Sequence, residues 1–287
     1  MLSLSHIESF ITTTPIPVGQ WSILIVNFVK TNAAGFFNII SVALGFLLDN
    51  TQNILLAVPP PLLLLIFVAG VWLTRRSWKL ALGVGVALLF VMNQGYWSDT
   101  VLTLALIMYT VVFCMLIGVP IGIAAAHHSW LYRGLRPILD LMQTLPTFVY
   151  LIPTLVLFGL GNVPGLISTI VFVLPTPIRL TYLGISSVPR PLIEAGEAFG
   201  CTKSQLLWKI ELRSAFPMIL AGFTQVIMLS LSMVVITALV GAGGLGEPVV
   251  DAMETVQIGE GFTSGLAIVI LAIILDRVFR PSESKAK

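Results

Sequence analysis

Three stretches of the sequence, residues 100–126, 167–185 and 216–240, are almost wholly apolar over the length that a bilayer demands of a spanning helix. The hydrocarbon core is about 30 Å thick, and about 20 residues of helix cross it. No water reaches the backbone inside that core, so each peptide group must find its partner within the protein. Continuous apolar runs, unlike the alternating pattern of a membrane barrel, meet this demand as α-helices. The rest of the chain follows the same rule, with 57% of its residues apolar and 10% charged. A soluble domain with one anchor is excluded, and an all-α membrane protein with about seven transmembrane helices, or eight, is expected.

Residues 21–48 are apolar but interrupted by Asn27, Lys30, Thr31, Asn32 and Asn38. That mixture predicts an amphipathic helix lying in the interface, with a spanning helix as the alternative. Residues 1–53 are read as an N-terminal extracytoplasmic segment, whose first 20 residues lack the basic start and compact apolar run of a cleavable signal peptide. The expected crossings are 54–74, with Pro59, Pro60 and Pro61 at its entry, then 80–93, and 100–126, kinked around Gly118 and Pro120. A fourth, 137–160, leads through a tight hairpin at 161–165 (GNVPG) into a fifth that ends near Ser187, followed by 216–240 and 262–279. Residues 54–280 thus form one transmembrane domain, interrupted by a polar loop at 190–215 and followed by a tail at 281–287.

Charge placement orients this scheme. If Arg75, Arg76 and Lys79 are cytoplasmic, alternation puts thirteen of the fifteen Lys and Arg on that side, leaving only Lys30 and the intramembrane Arg179. The connections on the other side, 94–99 and 241–261, hold no Lys or Arg and carry Asp99, Glu247, Asp251, Glu254 and Glu260. This is the positive-inside bias, and it predicts an external N-terminus and a cytoplasmic 190–215 loop. A net charge of +2 spread in this way gives no basis for a nucleic-acid partner. Two cysteines make no disulfide framework, and His6, His127 and His128 are too few and too local to predict a metal site.

The polar loop reads as two short helices. Pro191 suits a first turn, Gly200 suits the left-handed position after a helix, and Thr202 with Gln205 forms a capping box for a second helix over 203 to about 213. That helix carries Leu206, Leu207, Trp208 and Ile210, more apolar surface than two or three turns can hide. Packing back on the chain's own helices would account for these features as well. The spacing of Glu194, Ala195, Gly196, Gly200, Ile210 and Leu212, however, resembles the EAA loop of type I ABC import permeases. Longer runs resemble the glycine betaine, proline and choline branch of that family: 142–153 (MQTLPTFVYLIP), 157–165 (LFGLGNVPG), 231–236 (LSMVVI), 241–246 (GAGGLG) and 269–277 (VILAIILDR). Two positions depart from the pattern, with Gly196 where Ala is usual and Arg213 where Pro is usual, so that Pro217 is expected to end the second helix.

The resemblance implies a permease subunit for quaternary amines in a bacterial cytoplasmic membrane. Glu194, Ala195, Gly196, Glu197, Gly200, Ile210 and Leu212 would couple it to a separate ABC ATPase. It also implies an extracytoplasmic substrate-binding protein, a second permease copy in a homodimer, and surrounding membrane lipid. The chain itself is expected to hold no cofactor and to perform no chemistry, with ATP and Mg²⁺ belonging to the ATPase. In agreement, its only Lys-Ser/Thr pairs, Lys30-Thr31 and Lys203-Ser204, lack the preceding Gly of a phosphate loop.

Candidates for the solute path follow from helical spacing. Asp140, Gln143, Thr144, Thr147 and Thr154 share one face if the fourth crossing is a single helix, with Pro146 and Pro153 breaking its ladder and Phe148 and Tyr150 between them. Ser230, Met233 and Thr237 share a face of the sixth, where a second copy would meet it. Packing between helices explains either face equally well. Two charges, Asp140 and Arg179, fall within crossings and are expected to pair across the fourth and fifth, with Arg136 as a local partner for Asp140. A secondary transporter or channel is the alternative function, although it would want an ionisable relay near the midplane.

Overall fold

The computed structural model describes residues 17–279, so the expectations for the first 16 residues and for the tail cations Arg280, Lys285 and Lys287 lie outside the described residues. Among the described residues the regular structure is helical, with no strand. Five stretches are long and apolar enough to cross a membrane: Gly19–Ala57, Trp97–His127, Asn162–Ser186, Lys203–Ala238 and Ile258–Phe279. A bent pair makes a sixth, and two shorter apolar helices complete the set.

Helix α1, Val18–Ala57, is 40 residues long with non-helical backbone only at Ala33. It exceeds the surface-lying segment expected at 21–48, runs through the boundary expected at residue 53, and has the length and composition of a span. Trp21, Ile23, Leu24, Ile25 and Phe28 on its first half are exposed. Its second half packs on the bundle: Phe37 meets Phe158 edge-on, Leu48 is buried with Leu102, Leu106 and Leu166, and Thr51 shares a 2.6 Å hydrogen bond with Tyr109. Val58 is extended, as the residue before a proline must be, so Pro59–Pro61 open a new helix and do not enter one already running. That helix is α2, Pro60–Arg75, which folds back as α3, Trp78–Asn93. Each has 16 residues, or about 24 Å at 1.5 Å per residue, short of a full hydrocarbon core.

The centre of the bundle is α4, Trp97–His127, which runs unbroken through Pro120 where a kink was expected. Small residues explain its central place. A Cβ on Gly118 would lie 2.7 Å from Pro177 Cγ, and one on Gly122 would lie 2.7 Å from the Ile178 carbonyl oxygen. Glycines at i and i+4 therefore let α4 touch the segment α7–α8 (Asn162–Val173 and Pro175–Ser186) backbone to backbone, the close packing that holds helices together when lipid is as apolar as they are. Asn162 to Gly165 form the first turn of α7, so the expected hairpin contracts to Gly159 and Gly161, both at positive φ.

The fourth crossing is not one helix. It divides into α5, Ser129–Thr144, and α6, Thr147–Phe158, inclined by 98°. Pro146 pushes Leu145 to ψ 134, extended backbone that no helix can contain. After α8 the loop helices α9, Arg190–Ala198, and α10, Lys203–Leu206, lead through a π-helical turn, Leu207–Glu211, into α11, Leu212–Ala238. The expected stop near Arg213 is absent: helix continues from Lys203 to Ala238 with Pro217 inside it. Beyond α11, Gly243 N donates to Asn162 Oδ1 and Leu245 N to Thr103 Oγ1, both at 2.8 Å, and these bonds pin the glycine-rich connection to α7 and α4. A short helix α12, Gly246–Glu254, and a last span α13, Ile258–Phe279, close the fold.

Candidate functional site

The loop between α8 and α11 is built from local rules. Gly200 takes φ +77°, Cys201 N donates to Gly196 O at 3.0 Å and Gly200 N to Glu197 O at 2.9 Å, a paired closure that satisfies the last carbonyls of α9. The capping box then starts α10: Gln205 N reaches Thr202 Oγ1 at 3.3 Å and Thr202 N reaches Gln205 Oε1 at 2.9 Å. A Cβ on Gly196 would lie 2.5 Å from Ile210 Cδ1 and 2.8 Å from Leu206 Cδ1. The close approach at Gly196 is therefore to the loop's own second helix. Ile210 and Leu212 are half-buried, and Glu194, Ala195, Glu197 and Gly200 face outward.

Sequence reasoning named Trp208 here but missed Phe199 and Leu192. Phe199 is 89% exposed, Trp208 68% and Leu192 49%, beside the carboxylates of Glu194 and Glu197. Large apolar side chains clustered on a polar connection mark an interaction surface. The signal available was Phe199 itself, placed just before the left-handed glycine with no partner in the loop.

A second missed contact ties the loop to the bundle. Glu211, 6% exposed, lies in the π-helical turn with Oε2 2.9 Å from His127 Nε2, while His127 Nδ1 is 2.9 Å from Ile123 O. The imidazole thus bridges a carboxylate and a backbone carbonyl. His127 ends α4, and the pair joins that helix to the root of α10–α11. The hint in the sequence was a carboxylate between Ile210 and Leu212, which needs a partner if buried.

Deeper in, Arg179 on α8 donates to Asp140 Oδ1 at 2.5 Å, and Arg136 Nε stands 3.9 Å from Asp140 Oδ2. Arg179 also borders a cleft of about 440 Å³ between α5, α8 and α11, lined by Gln143, Thr176 and Gln225 with Phe172 and Leu229. Of the path candidates on the fourth crossing, only Gln143 faces this cleft. The 98° bend separates Gln143 and Thr144 on α5 from Thr147 on α6, so the single polar stripe does not exist. Thr154 is buried 2.7 Å from Ser168 Oγ. Phe148 is exposed, whereas Tyr150 is buried and its hydroxyl donates to Met142 O, so the two rings share no cage.

The face expected to meet a second copy is also turned inward. Ser230, Met233 and Thr237 are 2%, 0% and 3% exposed within the single chain. Ser230 and Thr237 bond to carbonyls of their own helix, and Thr237 packs where a Cβ on Gly165 would come within 3.2 Å. The small side chains that made the face look like a path are what lets α7 approach.

Comparison with known proteins agrees with this architecture. Residues 118–280 match the family described as binding-protein-dependent transport system inner membrane component. The chain is 42% identical over 269 residues to the glycine betaine/proline betaine transport system permease protein ProW of Escherichia coli K12, covering 92% of this chain and 75% of that one. It is 42% identical over 275 residues to the glycine betaine/carnitine transport permease protein GbuB of Listeria monocytogenes, covering 95% and 97%. Against the glycine betaine transport system permease protein OpuAB of Bacillus subtilis it is 43% identical over 263 residues, covering 91% and 93%. In three dimensions it is similar to a chain of the inward-facing MetNI methionine ABC transporter, with a TM-score of 0.56, 25% identity, and coverage of 62% of this chain and 91% of that one. This chain belongs to the family of binding-protein-dependent transport system inner membrane components.

Proposed function

We propose that the chain is the membrane-spanning subunit of an ATP-driven importer that moves quaternary amines, glycine betaine first among them, by alternating access. The relatives at 42–43% identity carry glycine betaine in their names. The one observation that carries the mechanism is the unbroken helical path from Lys203 to Ala238, which begins in an exposed loop and ends across the bundle. A push on such an element moves its far end, because a helix transmits displacement along its axis. In this reading a separate ATPase grips Glu194, Glu197, Leu192, Phe199 and Trp208 in the cytoplasm and an extracytoplasmic binding protein delivers solute. A second copy of the chain completes the pathway. The cleft at Gln143, Thr176 and Gln225 borders the solute route, with Arg179 held by Asp140. ATP and Mg²⁺ act in the ATPase, the chain carries out no reaction of its own, and its N-terminus is extracytoplasmic.

Purification from mild detergent tests this reading. The wild-type chain is expected to retain an ATPase subunit and, in proteoliposomes with a binding protein, to take up labelled glycine betaine only with ATP. Gly200→Arg places a side chain at a strained positive φ on the exposed surface and is expected to abolish the association. ATP-independent uptake indifferent to that change would return the chain to the secondary transporters.

A further inference from the structure

A cavity lies apart from the cleft and the loop. It occupies about 480 Å³ between α2, α3, α4, α11 and α13, within the range of about 300–1,000 Å³ of a small-molecule site. Packed protein interiors leave few voids larger than a water molecule, so a space of this size is a candidate site. Its walls are mainly apolar: Phe67, Val84, Ile227 and Leu271 stand among them, Thr100 spends its hydroxyl on Tyr96 O at 2.7 Å, and the buried indole N–H of Trp97 has no partner. A lining this poor in polar groups offers water few partners. Along α4 the wall rises about 18 Å from Thr100 to Val112, and it continues to Val71, Val278 and Phe279 near the C-terminal ends of α2 and α13. Met108, Val112 and Phe279 on the wall are exposed, so the cavity opens sideways to the membrane.

Its end at Val71, Val278 and Phe279 meets a collar of charge. Arg75 lies one turn beyond Val71 and donates to Arg277 O at 2.9 Å, and the exposed cations Arg76, Lys79 and Arg277 lie within a few residues of that junction, as does Asp276. An apolar slot flanked at one end by cations fits one class of molecule. We propose that this cavity holds an acyl chain of an anionic phospholipid whose phosphate sits against Arg76, Lys79 and Arg277. The site is independent of the solute route, so this proposal and the transport reading stand or fall separately.

The test is native mass spectrometry on the full-length chain, purified in mild detergent, washed free of loose lipid, and offered phosphatidylglycerol or phosphatidylcholine with the same acyl chains. One tightly held phospholipid per chain is expected, with phosphatidylglycerol preferred at least tenfold. Ile274→Trp and Val71→Phe fill the cavity and are expected to lower occupancy at least tenfold in protein whose thermal unfolding is otherwise intact. Arg76→Gln with Lys79→Gln alters only exposed positions and is expected to remove most of the headgroup preference. If both filled variants misfold, this surface pair decides alone. No retained phospholipid, equal occupancy in folded filled variants, equal binding of the two headgroups, or a preference untouched by the surface pair would each overturn the proposal.

Discussion

His127 and Glu211 make the clearest case at the level of single residues. A buried carboxylate with one imidazole partner loses that hydrogen bond when the ring is removed, and leaving such a group unpaired costs about 1–3 kcal/mol. His127→Ala is therefore expected to lower the thermal unfolding temperature in detergent and to reduce uptake. Glu211→Gln keeps an acceptor for the ring and should fall between the variant and wild type. Gly122 poses the opposite problem, because a Cβ there meets the Ile178 carbonyl at 2.7 Å and Thr181 Cβ at 2.6 Å. Backbone cannot yield as a flexible side-chain end can, so Gly122→Val should destabilise by about 1–3 kcal/mol or more, read as lost yield and earlier unfolding. Neither effect was visible beforehand. His127 was one of two adjacent histidines on a polar turn, and Gly122 was one of 24 glycines.

The secondary elements were legible in kind and less so in their joints. The capping box at Thr202 and the left-handed Gly200 follow from local chemistry, which needs no distant contact, and both were found where the residues put them. The break between α5 and α6 was half legible: Pro146 announced a disturbance, but a 98° turn depends on what α6 packs against. The join between α10 and α11 went the other way. Pro217 was expected to end a helix, yet helix passes through it, because surrounding helices and the membrane favour continuity over the loss of one backbone bond. This continuity has a mechanical test. Two glycines inserted between Arg213 and Ser214 should preserve ATPase association, since the loop surface is unchanged, and lower ATP-driven uptake at least tenfold, since the lever is cut. Equal loss of both would show that the loop does not fold by itself.

For the whole molecule, the expected outcome concerns sidedness. With Cys201→Ser as background and the buried Cys114 left in place, a cysteine at Glu254 should react with an impermeant thiol reagent on intact cells, and one at Phe199 only in inverted vesicles. The reverse pattern would undo both the charge argument and the proposed coupling. An all-helical membrane fold followed from the sequence alone, because hydrocarbon offers the backbone no partner and long apolar runs leave the helix as the one solution. So did the two-helix form of the 190–215 loop, whose caps are local in the chain. Which polar face lines a path, which merely seats a neighbour, and where a cavity opens were decided by the tertiary structure. Periodicity tells which side chains share a face but not what that face meets, and Ser230, Met233 and Thr237 met α7. Only the packing of small residues, glycines so close to Pro177 and Thr181 that a Cβ would not fit, sets those partners.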